Sequence, residues 1–149
     1  MYKHLLVPTD GSNLSLKAAK TAAGLAKGLG AKITAVYVIP PYSPPMGGDG
    51  MMYYPEAFSP TDYRKTMEAT AGKALAKVKA AADAAGVPCK VASVQDPLPW
   101  QAIIKAARSH KCDLIVMASH GRKGLQSLLL GSETSKVLTH SKTPVLVCR

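Results

Sequence analysis

The chain has 149 residues, enough for one domain with a sizeable core. Hydrophobic residues make up 47% of it but aromatics only 5%, so that core must be aliphatic and alanine-rich. No apolar run approaches the roughly 20 residues of a membrane span and no signal peptide precedes Tyr2-Lys3-His4, so no membrane association is expected and the expected location is the cytoplasm. The formal net charge of +10 raises the question of nucleic acid, but the lysines are spread along helical stretches without aromatic interleaving or a nucleic-acid motif. A solvated basic surface with mild attraction for anions is expected instead.

Lys3-His4-Leu5-Leu6-Val7 reads as a short apolar strand stopped by Pro8, followed by the capping-rich turn Thr9-Asp10-Gly11-Ser12-Asn13. Apolar positions at Leu14, Ala18, Ala22, Leu25 and Leu29 then have the spacing of one buried helix face, with Gly28 and Gly30 at its end. Ile33 to Ile39 is a second strand, buried on both faces by its composition. Strand, helix, strand in this space is a βαβ unit, which makes the two strands parallel. From Pro40 to Pro60 the pattern breaks into a proline- and glycine-rich loop that also carries Met46, Met51, Met52, Tyr53, Tyr54 and Phe58. A loop of that length in a compact domain tends to be functional; this one is expected to be mobile beside an empty cleft and to order when ligand binds, the alternative being a loop docked permanently whatever the ligand.

A long helix is predicted from about Thr61 to Ala85, burying Met67, Ala71, Ala74, Val78 and Ala82. Cys89 to Val94 is the third strand. Asp96-Pro97-Leu98-Pro99 opens a helix over Trp100, Ile103, Ile104 and Ala107, where proline suits the first turn. Leu114 to Met117 is the fourth strand, and a helix carrying Val137 and Leu138 inward leads to a fifth over Val145 to Cys148. Alternating strands and helices imply an α/β fold with a parallel sheet in one domain, residues 1–149. The cysteines, Cys89, Cys112 and Cys148, are odd in number and form no CxxC, so they are expected to be reduced, buried small residues.

Between the fourth strand and the last helix lies Ala118-Ser119-His120-Gly121-Arg122-Lys123-Gly124, running on to Gly131-Ser132-Glu133-Thr134. A glycine lets backbone approach a ligand, a helix start offers free N–H groups, and Arg122 and Lys123 can reach a phosphate. The same residues also suit an ordinary surface loop ending in a helix that Ser132 caps. Local chemistry leaves these two readings even. Asp10 has a similar pair of readings, a turn or cap residue or a ligand group. No Ser-His-Asp arrangement or clustered metal ligands accompany His4, His110, His120 and His140. Glu133 is expected to complement the dipole of its helix.

The stretch resembles the nucleotide-binding signature of the universal stress proteins, in which Gly, two residues, Gly, nine residues and Gly-Ser or Gly-Thr follow one another. Gly121, the residues Arg122 to Leu130, and Gly131-Ser132 fit it, while Ala118 stands where the first glycine falls. Alanine is harmless there if the position has extended backbone. The early Pro8-Thr9-Asp10 and the terminal Pro144-Val145-Leu146-Val147 fit the family too.

The resemblance implies a five-stranded parallel sheet ordered 3-2-1-4-5 with helices on both faces, Rossmann-like and similar to the adenine nucleotide alpha hydrolases. It implies ATP or AMP, with magnesium or manganese carried on the phosphates. The matching residues are Pro8, Thr9 and Asp10 beside the nucleoside, Val38 whose backbone meets adenine, and Ala118, Ser119, His120, Gly121, Arg122, Gly124, Gly131, Ser132, Glu133 and Thr134 around the phosphates. It also implies a homodimer through the strand Val145 to Cys148, whose apolar edge no following helix covers. The expected function is a stress-response regulatory or protective module, with ATP hydrolysis at most slow. The alternatives are a partner-binding stress protein with an empty cleft and a slow ATP-using enzyme.

Overall fold

The computed structural model describes residues 1–43, 59–121 and 130–149. Residues 44–58, most of the loop expected to cover a cleft, and residues 122–129, which include Arg122 and Gly124, lie outside the described residues.

The strands are β1 (His4–Pro8), β2 (Lys32–Ile39), β3 (Cys89–Gln95), β4 (Leu114–Ala118) and β5 (Val145–Cys148), all parallel in the order 3-2-1-4-5. Between them run α1 (Asn13–Leu29), α2 (Pro60–Ala84), α3 (Pro99–Ser109) and α4 (Ser132–His140). Pro8 is the last residue of β1, paired with Val36, rather than the first beyond it.

The pleat divides the core in two. Leu5, Val7, Ile33, Ala35, Tyr37, Leu114 and Val116 meet α1 and α2, while Leu6, Val36, Ile115 and Met117 meet α3 and α4. Burial on both faces explains why these strands read as unbroken apolar runs. The buried stripe of α1 is Ser15, Ala18, Ala19, Ala22, Ala23 and Ala26, whereas the expected Leu14, Leu25 and Leu29 are only half-buried. Small side chains at the centre let the helix axis lie close to the sheet, and the leucines fill its flanks. The stripe of α2 is close to the one expected, with Leu75 added and Met67 half-buried.

Local chemistry sets the helix ends. Ser12 accepts from the Ser15 N–H, and Gly30 adopts φ 61° at the other end of α1. Ser59 accepts from the Asp62 N–H with Pro60 in the first turn of α2. Asp113 pins the start of β1, its two carboxylate oxygens accepting from the Lys3 and His4 amides at 2.8 and 3.0 Å. Burial pushes the Asp113 pKa up, but these amide hydrogen bonds outweigh it and hold the carboxyl below its usual range. Of the cysteines only Cys112 is fully buried; Cys89 and Cys148 are half-buried, and all three are free thiols.

The strand order decides where a ligand can go. Beyond β1 the chain turns to α1 on one face, and beyond the neighbouring β4 it turns to α4 on the other. The two outgoing loops part, opening a crevice at the carboxyl ends of the strands.

Candidate functional site at the carboxyl ends of β1 and β4

A cleft of about 560 Å³ opens at this switch point, within the usual size of a small-molecule site. One wall is the turn after β1. The Thr9 N–H donates to the Val36 carbonyl at 2.9 Å, and its side-chain oxygen meets the Ser15 hydroxyl at 3.0 Å and accepts from the Gly11 N–H at 3.1 Å. Gly11 takes φ 81°, where a side chain would be strained. The Asp10 carboxylate accepts from the Ser12 N–H at 2.9 Å, so Asp10 is a turn residue and Ser12 the helix cap.

The other wall follows β4. Ala118 is the last residue of that strand, paired with Cys148, and its φ is not positive. Alanine therefore fits the backbone conformation that stands in place of the first signature glycine. The Ser119 N–H donates to the Cys148 carbonyl, and the Ser119 carbonyl accepts from the Gly131 N–H, both at 2.8 Å. Thr134 closes the corner by donating to the Ala118 carbonyl at 3.0 Å. The Ser119 hydroxyl contacts His120 Nδ1 at 3.0 Å, while His120 Nε2 is shielded from solvent and has no hydrogen-bond partner among the described residues.

Two glycines have steric reasons to be glycine. A Cβ on Gly121 would lie 2.8 Å from Asp10 Oδ2, so the walls touch there. A Cβ on Gly131 would lie 3.1 Å from the Ser119 carbonyl oxygen and 3.3 Å from the Cα of His120. Gly131, not Ser132, is the N-cap of α4: Ser132 is already helical, and Gly131 has no side chain with which to cap this end. The sequence favours Ser132 because serine caps well, but packing of Gly131 against the Ser119 carbonyl sets the helix start one residue earlier. The first amides of α4, at Ser132, Glu133 and Thr134, are thus left without a side-chain cap at the edge of the cleft.

Among the expected site residues, Pro8, Thr9, Asp10, Val38, Ala118, His120, Gly121, Gly131, Ser132, Glu133 and Thr134 line this cleft. Ser119 lies buried behind it as a support. Val38 owes its place to the sheet ladder. The Lys32 N–H bonds the Lys3 carbonyl and the Val36 carbonyl receives the Thr9 N–H, so the peptides of alternate β2 residues turn toward β1. Val38 continues that alternation past the last β1 partner, which directs its N–H and C=O to the cleft. Met67, Pro99, Ile103 and Met117 add apolar walls that the sequence did not mark as site residues. Each sits in a helix stripe, helix start or strand run, where the local signal is indistinguishable from core.

Glu133 does more than face its own helix dipole. Its Oε2 accepts from the Trp100 N–H at 2.9 Å, filling the N-terminus of α3, which no side chain of its own caps. Its Oε1 lies 3.3 Å from Lys136 Nζ.

A doubly wound parallel sheet with a crevice at its switch point defines a Rossmann-like α/β protein. The universal stress protein family model matches residues 1–149, and the chain belongs to that family. It is 36% identical to universal stress protein MJ0531 of Methanocaldococcus jannaschii, over all of this chain and 83% of that protein. The structure of MJ0577, from the same organism, superposes with a TM-score of 0.79 at 26% identity, covering 99% of this chain and 96% of that one. A universal stress protein solved in complex with cAMP gives 0.68 at 27% identity, covering 99% and 97%.

Proposed function

We propose that this protein binds an adenine nucleotide, ATP or AMP, between β1 and β4 and works as a stress-response regulatory or protective module rather than a vigorous enzyme. The observation that carries the reading is the pair of glycine corners, Gly121 against Asp10 and Gly131 against the Ser119 carbonyl, beside the uncapped start of α4. A relative of 27% identity holding cAMP supports the chemical class.

In this reading the base enters between Val38, Met67 and Ile103. The Val38 N–H and C=O suit adenine, which offers an acceptor ring nitrogen beside a donor amino group; guanine presents the opposite polarity on that edge. Asp10 accepts from the ribose hydroxyls. The amides of Ser132 to Thr134 take the phosphates, favoured by the helix dipole, and His120 Nε2 is a further donor or acceptor at hand. Ala118 and Ser119 shape the corner, and Arg122 and Gly124 belong to the same phosphate loop by sequence. A magnesium or manganese ion would travel on the phosphates.

Assembly follows from the sheet order. β5 is an edge strand with Leu146 exposed, and an unprotected apolar edge favours pairing with a second copy into a homodimer.

Calorimetry with ATP and AMP on wild type and Gly131→Val tests the site. Valine would drive atoms into the Ser119 carbonyl and the backbone of His120, so binding should be lost in the variant. Equal affinity in both proteins refutes the placement. If no adenine nucleotide binds the wild type and none is released from freshly purified, denatured protein, the partner-binding reading replaces this one.

A further inference from the structure

Glu133 stands between two helix starts. It belongs to the first turn of α4, and its carboxylate caps α3 through the Trp100 N–H. Neither helix has a side-chain cap at its own N-cap position. Both ends border the cleft, since Pro99 and Ile103 of α3 and Gly131 to Thr134 of α4 line it. The Glu133 carboxylate therefore serves α3 while lying beside the amides of α4. The ring of Trp100 in turn packs on that of His140 near the far end of α4, with centroids 4.6 Å apart.

We propose that Glu133 sets how many phosphate charges the cleft accepts and transmits their arrival to α3. This rests on the nucleotide reading above. An anion on the α4 amides meets the Glu133 carboxylate at short range, in a half-buried setting where like charges repel more strongly than in water. The carboxylate answers by swinging toward Lys136, already 3.3 Å from Oε1, which uncaps α3. The penalty grows with phosphate number, and the swing alters the surroundings of Trp100. Adenosine, with no phosphate, does not provoke it. The pairing of Glu133 with an amide in another helix distinguishes this from an ordinary acidic residue in a first turn, whose charge would merely complement its own dipole.

The chain has a single tryptophan, so its emission reports this contact without engineering. Calorimetry and tryptophan emission are followed for adenosine, AMP and ATP in chelator-containing buffer, on wild type and Glu133→Gln. Glutamine keeps an acceptor for the Trp100 N–H but removes the charge. Affinity should rise in the variant, by about three- to tenfold for ATP, less for AMP and least for adenosine. In wild type, the two phosphate-bearing ligands should shift Trp100 emission and adenosine should leave it nearly unchanged. Equal gains for all three ligands, no gain, or equal emission changes in wild type overturn the proposal while leaving the nucleotide site standing. Calorimetric silence of all three on wild type overturns both. Should the variant fail to fold, the wild-type emission comparison decides alone.

Discussion

Replacing Gly121 by alanine separates the architecture of the cleft from the stability of the fold. The added methyl would sit 2.8 Å from Asp10 Oδ2, against the 3.4 Å at which ordinary contact begins. The neighbour that must give way is a carboxylate at the end of a side chain, not backbone. Turning Oδ2 clear of the methyl also turns Oδ1 away from the Ser12 N–H, a 2.9 Å hydrogen bond worth about 1.5 kcal/mol when the acceptor is charged. Against that loss, alanine restricts the unfolded chain, a gain of roughly 0.4–1 kcal/mol where the backbone allows it. It does allow it, since Gly121 is not among the positive-φ glycines. The net destabilisation is thus about 1 kcal/mol or less, a drop of roughly 2–4 °C in melting temperature for a chain of this size. The ligand has no such compensation. With Asp10 displaced, the ribose loses a charged acceptor, so ATP affinity should fall about tenfold or more. Thermal melts and calorimetry on the same preparations read both effects. Unchanged ATP affinity in a folded variant, or a loss of stability of several kcal/mol, refutes the reasoning.

Acid should weaken the fold through His4, whose Nε2 meets the buried Thr34 hydroxyl at 2.8 Å. Burial first, then the Lys32 ammonium, hold its pKa below 6.5 against the opposing pull of Asp113. The unfolded chain therefore takes up this proton first as the pH falls. The His4 contribution is complete above about 6.5 and is lost below it, and urea midpoints followed from about pH 7 to 5 should show a shallower slope in His4→Gln. Lys111 holds φ 54°, alone among the described non-glycine residues, so Lys111→Gly should raise stability by about 0.5–1 kcal/mol in denaturant titration, with no gain refuting the strain argument. Wild type should sediment as a dimer at micromolar concentration and Leu146→Lys as a monomer; a monomeric wild type contradicts pairing through β5.

The strands and their order of succession could be read from the chain because β1, β2 and β4 are buried on both faces and so appear as consecutive apolar residues. The helix periods were legible because each helix buries only one face, though in α1 the alanines, not the leucines, lie at the centre, and in α4 Leu138, expected to face inward, is exposed. The candidate site residues could be singled out only through a family signature. Their local chemistry left cradle and capped loop even, because serine, glycine and aspartate serve turns and ligands alike. What the sequence by itself determined was the alternation of elements, their parallel sense and the spacing of the glycines. The tertiary structure alone decided that a Cβ on Gly121 would meet Asp10 Oδ2, an atom from the loop after a neighbouring strand that must move aside for it. It also decided that α4 starts after Gly131 and that Glu133 serves Trp100. Such contacts join residues far apart in sequence, and no local period or propensity encodes a partner that only the fold brings near.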